Sequence, residues 1–279
     1  MVKNIIFDLG NVVLKYDNLA YLKSKIEDND KIDKLRDIIF GGVEWIMLDE
    51  GTITEETAIE QICINNPELE KDVRKVFDNW YSLLEPIEST VEIISELKEK
   101  GYNLFFLSNF HGKAFQIVAE EYKFFRLFDG GVVSYREKII KPNLEIYRRL
   151  LDRYNLNPEE CIFIDDVNEN VIAGEQVGIK GIHLKDVSIL REELEKYLVE
   201  WLGEMAGPFL FLVIEDNKDK DRILLVLEFL QYLYYLQYYN YPKKLHLSEF
   251  ILILIIFIIY IIPKNYLYHI IIASSLLSL

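Results

Sequence analysis

Ile5-Ile6-Phe7-Asp8-Leu9-Gly10-Asn11-Val12-Val13 is the stretch on which the fold reading turns. Three apolar residues run into a carboxylate, and a glycine follows two residues on. The run is too short for a helix and a turn comes at once, so it reads as a buried strand that stops at an acid. In an open parallel sheet, reactive groups sit at the carboxyl ends of the strands, over a crevice. Asp8 is therefore a candidate for chemistry. A plain turn aspartate satisfies the same nine residues, and the rest of the chain has to decide between the two.

Four later stretches repeat the pattern. Asn103-Leu104-Phe105-Phe106-Leu107 reads as a second strand and stops at Ser108-Asn109. Gly131-Val132-Val133-Ser134 is a weaker third. Cys161-Ile162-Phe163-Ile164 is a fourth and stops at Asp165-Asp166, and Gly181-Ile182-His183-Leu184 is a fifth. Helical spacing fills the intervals: Val91, Ile94 and Leu97; Phe115, Val118 and Ala119; Ile146, Leu150 and Leu151; then 168–177. Strands alternating with helices predict an α/β fold, a Rossmann-like parallel sheet with helices on both faces and right-handed crossovers. Residues 16–88 interrupt the alternation. Leu19, Leu22 and Ile26, then Ile32, Leu35 and Ile39, recur at helical spacing, with breaks at Gly41-Gly42 and Gly51 and no strand signal. The expected organisation is a core of residues 1–15 and 89–202, a helical insert over 16–88, and an apolar tail over 203–279.

Composition narrows the partners. The formal charge is −15 over 279 residues. That argues against a nucleic-acid backbone as the main partner, though local Lys, backbone N–H groups or a metal can still bind phosphate. The two cysteines, Cys63 and Cys161, are far apart and each in apolar company. They read as buried free thiols of a reducing, cytoplasmic setting, with no disulfide framework and no zinc site. Met1-Val2-Lys3-Asn4 leads straight into the first strand, so no secretory signal peptide is expected.

Three strands end in polar groups, and Lys141-Pro142-Asn143 adds a lysine in a turn before a helix. One sheet edge can gather them all. A carboxylate such as Asp8 can attack phosphorus and split one hard displacement into two easier ones. A hard dication such as Mg²⁺ suits oxygen ligands and is commonly held by one or two carboxylates with phosphate and water, which Asp8 and Asp166 can provide. Lys141 offers fixed positive charge for a transferring phosphoryl group, and the Ser108 hydroxyl can donate to the same oxygens.

In the order FDLGNVV, FLSN, KPNLEIY, FIDDVNENV, the chain resembles the haloacid dehalogenase-like hydrolase superfamily. The helices placed between the first two motifs resemble its small helical cap. DLGNVV and LDEGTITEETA are similar to a bacterial sugar-phosphatase branch that includes glucose-1-phosphate phosphatases. The resemblance covers residues 1 to about 200. It implies that Asp8 is the nucleophile, Ser108 and Lys141 bind the phosphoryl group, and Asn109 stands beside them as a substrate contact. It also implies that magnesium is held by Asp8, the Gly10 carbonyl and Asp166, with Asp165 as ligand or support, and that Asn170 orients Asp166 or a metal-bound water. The implied activity is hydrolysis of a small phosphorylated metabolite.

The chain departs from the family at one position. Most phosphatases of this kind carry a second Asp two residues after the nucleophile, as general acid and base; here that residue is Gly10. The backbone carbonyl survives, but the carboxylate does not, and such help is typically worth about 10²–10⁴ in rate. Asp17, His111, Asp49 and Glu50 are candidate substitutes. His111 either faces the crevice or is an ordinary exposed loop histidine. Trp45 either walls a sugar pocket or belongs, with Trp80, to the core of the insert. A carbon–halogen hydrolase and a catalytically weak phosphometabolite-binding module are the rival functions; the acid pair at 165–166 weighs against the first, and Gly10 motivates the second.

After Lys244 only Glu249 and Lys264 carry a full charge. Phe250–Ile262 would span about 20 Å as a helix, short of the roughly 30 Å hydrocarbon core, but continuation to Leu279 gives enough length with a kink at Pro263. One expectation is a membrane contact through 250–279, with Lys243-Lys244 holding the catalytic part in the cytoplasm. The rivals are a frameshift-like extension, since AT-rich codons encode such residues in almost any frame, and extra soluble helices.

Overall fold

The computed structural model describes residues 2–198. Strand β1 (Asn4–Phe7) is followed by helices α1 (Asn18–Lys25), α2 (Asn29–Leu35), α3 (Val43–Glu50), α4 (Glu55–Asn65) and α5 (Glu70–Phe77). Then come α6 (Glu88–Glu99), β2 (Asn103–Ser108), α7 (Gly112–Glu121), β3 (Gly130–Val133), α8 (Ser134–Glu137) and α9 (Leu144–Tyr154). The series continues with β4 (Cys161–Asp165), α10 (Asn168–Gln176) and β5 (Lys180–His183), and residues 190–198 are helical. Ser134, expected to end the third strand, instead opens α8.

The five strands form one parallel sheet in the order β3-β2-β1-β4-β5. Phe7 is in register with Phe106 on one side and Ile164 on the other. The first, second and fourth strands are thus neighbours that finish at the same edge. Period two divides their side chains between the faces. Ile5 and Phe7 join the apolar cluster on one face, while Ile6 joins the other with Phe105, Phe163, Tyr147 and Leu150. Ile5, Ile6 and Phe7 are all fully buried. Burial on both faces is why this strand reads as an unbroken apolar run. At the opposite edge, the helices return to the sheet through left-handed residues: Gly101 after α6, Asn155 after α9 and Gly178 after α10.

The two passages between the sheet and the insert run side by side. Lys15 N–H donates to Glu85 O and Ile87 N–H to Val13 O, both at 2.8 Å, across an antiparallel Leu14–Pro86 bridge. The apolar cluster on the β1-Phe7 face continues into the insert through Leu22, Leu35, Trp45, Trp80 and Phe77. Residues 2–198 lie within one compact unit. Cys63 and Cys161 are buried free thiols. The expectations placed on 203–279, the membrane contact included, lie outside the described residues; among the described residues no helix is long and apolar enough to cross a membrane.

Candidate active site

Asp8 is the first residue past β1, and its N–H donates to Ile164 O at 2.8 Å, so the sheet ladder fixes its backbone. The next turn is tight: Val13 and Leu14 N–H groups both return to Leu9 O, and Asn11 takes a left-handed φ of 53°. Asn tolerates that conformation, and its carboxamide is put to use here. Asn11 Nδ2 donates to Asp166 Oδ2 at 2.9 Å, and its Oδ1 accepts from Tyr16 N–H at 3.2 Å. One side chain thus ties the loop after β1 to the acid after β4. The sequence reading overlooked Asn11; its signal was an Asn in a turn that demands positive φ.

Lys141 is at the centre of the site with 3% exposure. Its Nζ lies 2.8 Å from Asp8 Oδ1 and donates to Asp165 Oδ2 at 2.6 Å. Burial works against its charge, but the attraction of Asp165 and Asp8 outweighs it and holds the ammonium above its ordinary pKa. Burial also pushes the Asp8 carboxyl up, to about 7; Lys141 pulls it down, Asp165 pushes it further up, and Ser108 lowers it. Ser108, at the end of β2, is buried beside it.

Asn109 was expected as a substrate contact. Its carboxamide instead clasps the lysine's backbone: Nδ2 donates to Lys141 O at 3.1 Å and Oδ1 accepts from Lys141 N–H at 2.8 Å. The peptide bond that follows, Lys141-Pro142, is cis. Asn170 was expected to orient Asp166 or a metal-bound water; its Nδ2 reaches both oxygens of Asp165, at 3.1 and 3.2 Å. Asp165 Oδ1 also accepts from Val167 N–H at 2.8 Å. With Lys141, these bonds occupy the fully buried Asp165, which orients the lysine. Asp166 is less enclosed; burial raises its pKa against the pull of Asn11.

Ligand oxygens of Asp8, Asp165 and Asp166 lie within 4.8 Å of one another. Asp8 Oδ1 is buried and meets the Lys141 ammonium at 2.8 Å without an aligned hydrogen bond. An all-oxygen set with one buried acceptor left over fits a hard dication. At Gly10, a Cβ would meet no atom within 4 Å, so the position of the missing second acid is open space.

The other expected residues divide. Trp45 is packed among Tyr16, Phe40, Phe77 and Trp80 rather than walling a sugar site; its ring lies 4.6 Å from Phe40 and 5.0 Å from Trp80. His111 is not an exposed loop histidine. It precedes α7 with 3% exposure, and its ring lies 4.2 Å from Trp45 and 5.1 Å from Trp80. Its Nε2 is 3.3 Å from Asp49 Oδ1. Burial drives its pKa down to about 3, against a pull upward from the Trp45 backbone, so the ring is neutral at ordinary pH.

A buried carboxylate, a buried lysine and an acid pair at the carboxyl edge of a parallel sheet define a class: α/β hydrolases with a carboxylate and lysine site. Comparison with known proteins places the chain within it. The haloacid dehalogenase-like hydrolase family model matches residues 2–178, and the chain belongs to that family. It is 27% identical over 184 residues to the sesquiterpene phosphatase astK of Aspergillus oryzae, covering 66% of this chain and 90% of that protein. It is 26% identical over 144 residues to the pyrophosphatase PpaX of Bacillus cereus, covering 50% of this chain and 65% of that one. Among solved structures, a family enzyme of Bacteroides thetaiotaomicron in complex with magnesium and inorganic phosphate superposes with a TM-score of 0.53 at 22% identity. That match covers 65% of this chain and 93% of the other and speaks to the fold.

Proposed function

We propose that the protein is a magnesium-dependent phosphatase that hydrolyses a small phosphorylated metabolite, a sugar phosphate in the first instance. One observation carries the reading: the Asp8 carboxylate lies 2.8 Å from a buried lysine ammonium while sharing a potential ligand set with Asp165 and Asp166. Asp8 attacks phosphorus, the bond to the leaving oxygen breaks, and an aspartyl phosphate forms. Water then attacks the same phosphorus, releasing inorganic phosphate and freeing Asp8. Lys141 and Ser108 stabilise charge on the phosphoryl oxygens. Asn109, Asn170 and Asp165 hold Lys141 in place. Magnesium bound by Asp8, Asp166 and the Gly10 carbonyl would neutralise phosphate charge and let an anionic nucleophile approach. The insert over 16–88 serves as a cap that shapes the leaving-group side. The named phosphatase relatives support the reaction class; the likeness of LDEGTITEETA to sugar phosphatases supports the substrate class. A cytoplasmic setting is part of the same proposal and suits the two buried free thiols.

The test is a phosphate-release screen of the full chain over sugar phosphates, with Asp8→Asn alongside. Wild type should release phosphate only with Mg²⁺ and stop on chelation, and Asp8→Asn should lose at least roughly 10³-fold in kcat. Release unchanged in Asp8→Asn, or chelator-resistant turnover of a 2-haloacid in its place, would overturn the reading.

A further inference from the structure

The proposed reaction leaves an oxygen that needs a proton, and Gly10 has none to give. We propose that Asp49, the penultimate residue of α3 in the insert, is the general acid and base of this site. The inference rests on the phosphatase reading above and deepens it. Three observations lead to it.

First, Asp49 is clamped to the core. Ser134 Oγ donates to Asp49 O at 2.5 Å while accepting from Phe110 N–H at 2.9 Å. Two residues on, Lys138 Nζ donates to Gly51 O. Gly51 ends α3 with a left-handed φ of 67°, and a Cβ there would lie 2.5 Å from Tyr135 O. Only a glycine lets the helix end this close to the core. Asp49 is thus held against the sheet edge from two sides.

Second, its side chain meets a buried polar group. His111 is buried, and neither ring nitrogen has a well-formed hydrogen bond, yet Nε2 points within 3.3 Å of Asp49 Oδ1. The imidazole is pinned by Trp45, one helical turn before Asp49 on the same face of α3, and by Trp80. A neutral ring beside a carboxyl holds it in place without pulling its proton away, as a cationic partner would.

Third, Asp49 shares the electrostatic environment of the nucleophile. Burial raises its carboxyl to about 8, Lys141 pulls it down, and Asp8 pushes it up. Tyr16, on the passage into the insert, also feels its charge, which with burial keeps the phenol protonated. Lys141, Asp8 and Tyr16 interact with its charge, and His111 lies against it. Asp17, another candidate, caps α1 by accepting from Ala20 N–H at 2.8 Å and is committed there.

The step balances. As the Asp8 oxygen bonds to phosphorus and the ester P–O bond breaks, the Asp49 O–H transfers its proton to the departing oxygen, which leaves as an alcohol. The resulting carboxylate takes a proton from the water that attacks the aspartyl phosphate, and both acids return to their starting states.

The test compares two substrates in the full chain with Mg²⁺: glucose 6-phosphate, whose alkoxide must be protonated to leave, and 4-nitrophenyl phosphate, whose phenolate leaves unaided. Asp49→Asn should lose about 10²–10⁴-fold in kcat on the first, whereas with the second it should still release one 4-nitrophenolate per chain in a burst as fast as that of wild type, followed by slower turnover because the base of the second step is gone. The burst also reports that the variant is folded. Asp49→Glu should keep part of the activity on the sugar phosphate. Adding Gly10→Asp, for which there is room, to Asp49→Asn should restore it. A 4-nitrophenolate burst slowed as much as sugar-phosphate turnover, or no loss on either substrate, would overturn the assignment and leave the phosphatase standing. Wild type inactive on every phosphate ester would overturn both.

Discussion

The sheet edge and the helical insert position their functional groups by different means. At the edge, parallel register sets where Asp8, Ser108 and Asp165 begin, and a closed hydrogen-bond set through Asn11, Asn109 and Asn170 finishes the placement. Where the insert meets the core, the His111 imidazole beside Asp49 is placed by aromatic packing, with Trp45 and Trp80 around it. The first kind of order is local and polar; the second is collective and apolar. It follows that a single polar substitution should harm the edge most, and a single cavity should harm the insert most.

The largest effect is expected at Lys141. In Lys141→Met, Asp8 and Asp165 are left buried without their cation, and breaking a buried pair costs about 3–5 kcal/mol. Urea denaturation should show that loss, and phosphate release should fall below detection. A midpoint like that of wild type would mean that Asn170 and the Val167 N–H alone sustain Asp165. Next comes Trp45→Ala. Emptying the centre of the ring cluster should cost about 3–5 kcal/mol at the upper end of core truncations. If packing alone seats His111, sugar-phosphate turnover should fall in this variant more than turnover of 4-nitrophenyl phosphate.

The smallest effect is a pH slope. Asp49 ionises near 8 in the folded protein against about 3.8 for an ordinary Asp, and Asp8 near 7. Both folded values are raised, so the folded state holds extra protons. The resulting stability is fully present below about pH 4 and is lost as pH climbs through 7 to 8. In metal-free buffer, Tm should therefore drop between pH 5 and 9. Asp49→Asn, which cannot ionise, should flatten that drop and melt several degrees above wild type at pH 9. Parallel slopes would place Asp49 in water rather than in the site.

Much of the edge was legible in the sequence because strands announce themselves by apolar runs and end at polar residues. Asp8, Ser108-Asn109, Lys141 and Asp165-Asp166 could each be found from one short stretch. What those side chains do to one another could not. Asn109 is spent on the Lys141 backbone and Asn170 on Asp165, choices settled by loop geometry some thirty residues away or across a helical turn. The insert was legible only as helices. Whether His111 is exposed depends on where α3 and Trp80 come to rest against α7, and no spacing in the sequence encodes that contact. Asp49 stood among four substitutes for the missing acid; the clamp from Ser134 and Lys138 singles it out.

The parallel sheet has two rims of opposite character. Every reactive side chain gathers where the strands finish, while the helices turn back through Gly101, Asn155 and Gly178 where the strands begin. Extra residues spliced into those return bends would lengthen the chain without shifting any strand relative to its neighbours. One residue spliced into Asn4–Phe7 would instead turn every side chain of that strand to the other face, and Asp8 with them. The molecule can therefore accept grafts, tags or new partners along one rim while the other keeps its chemistry.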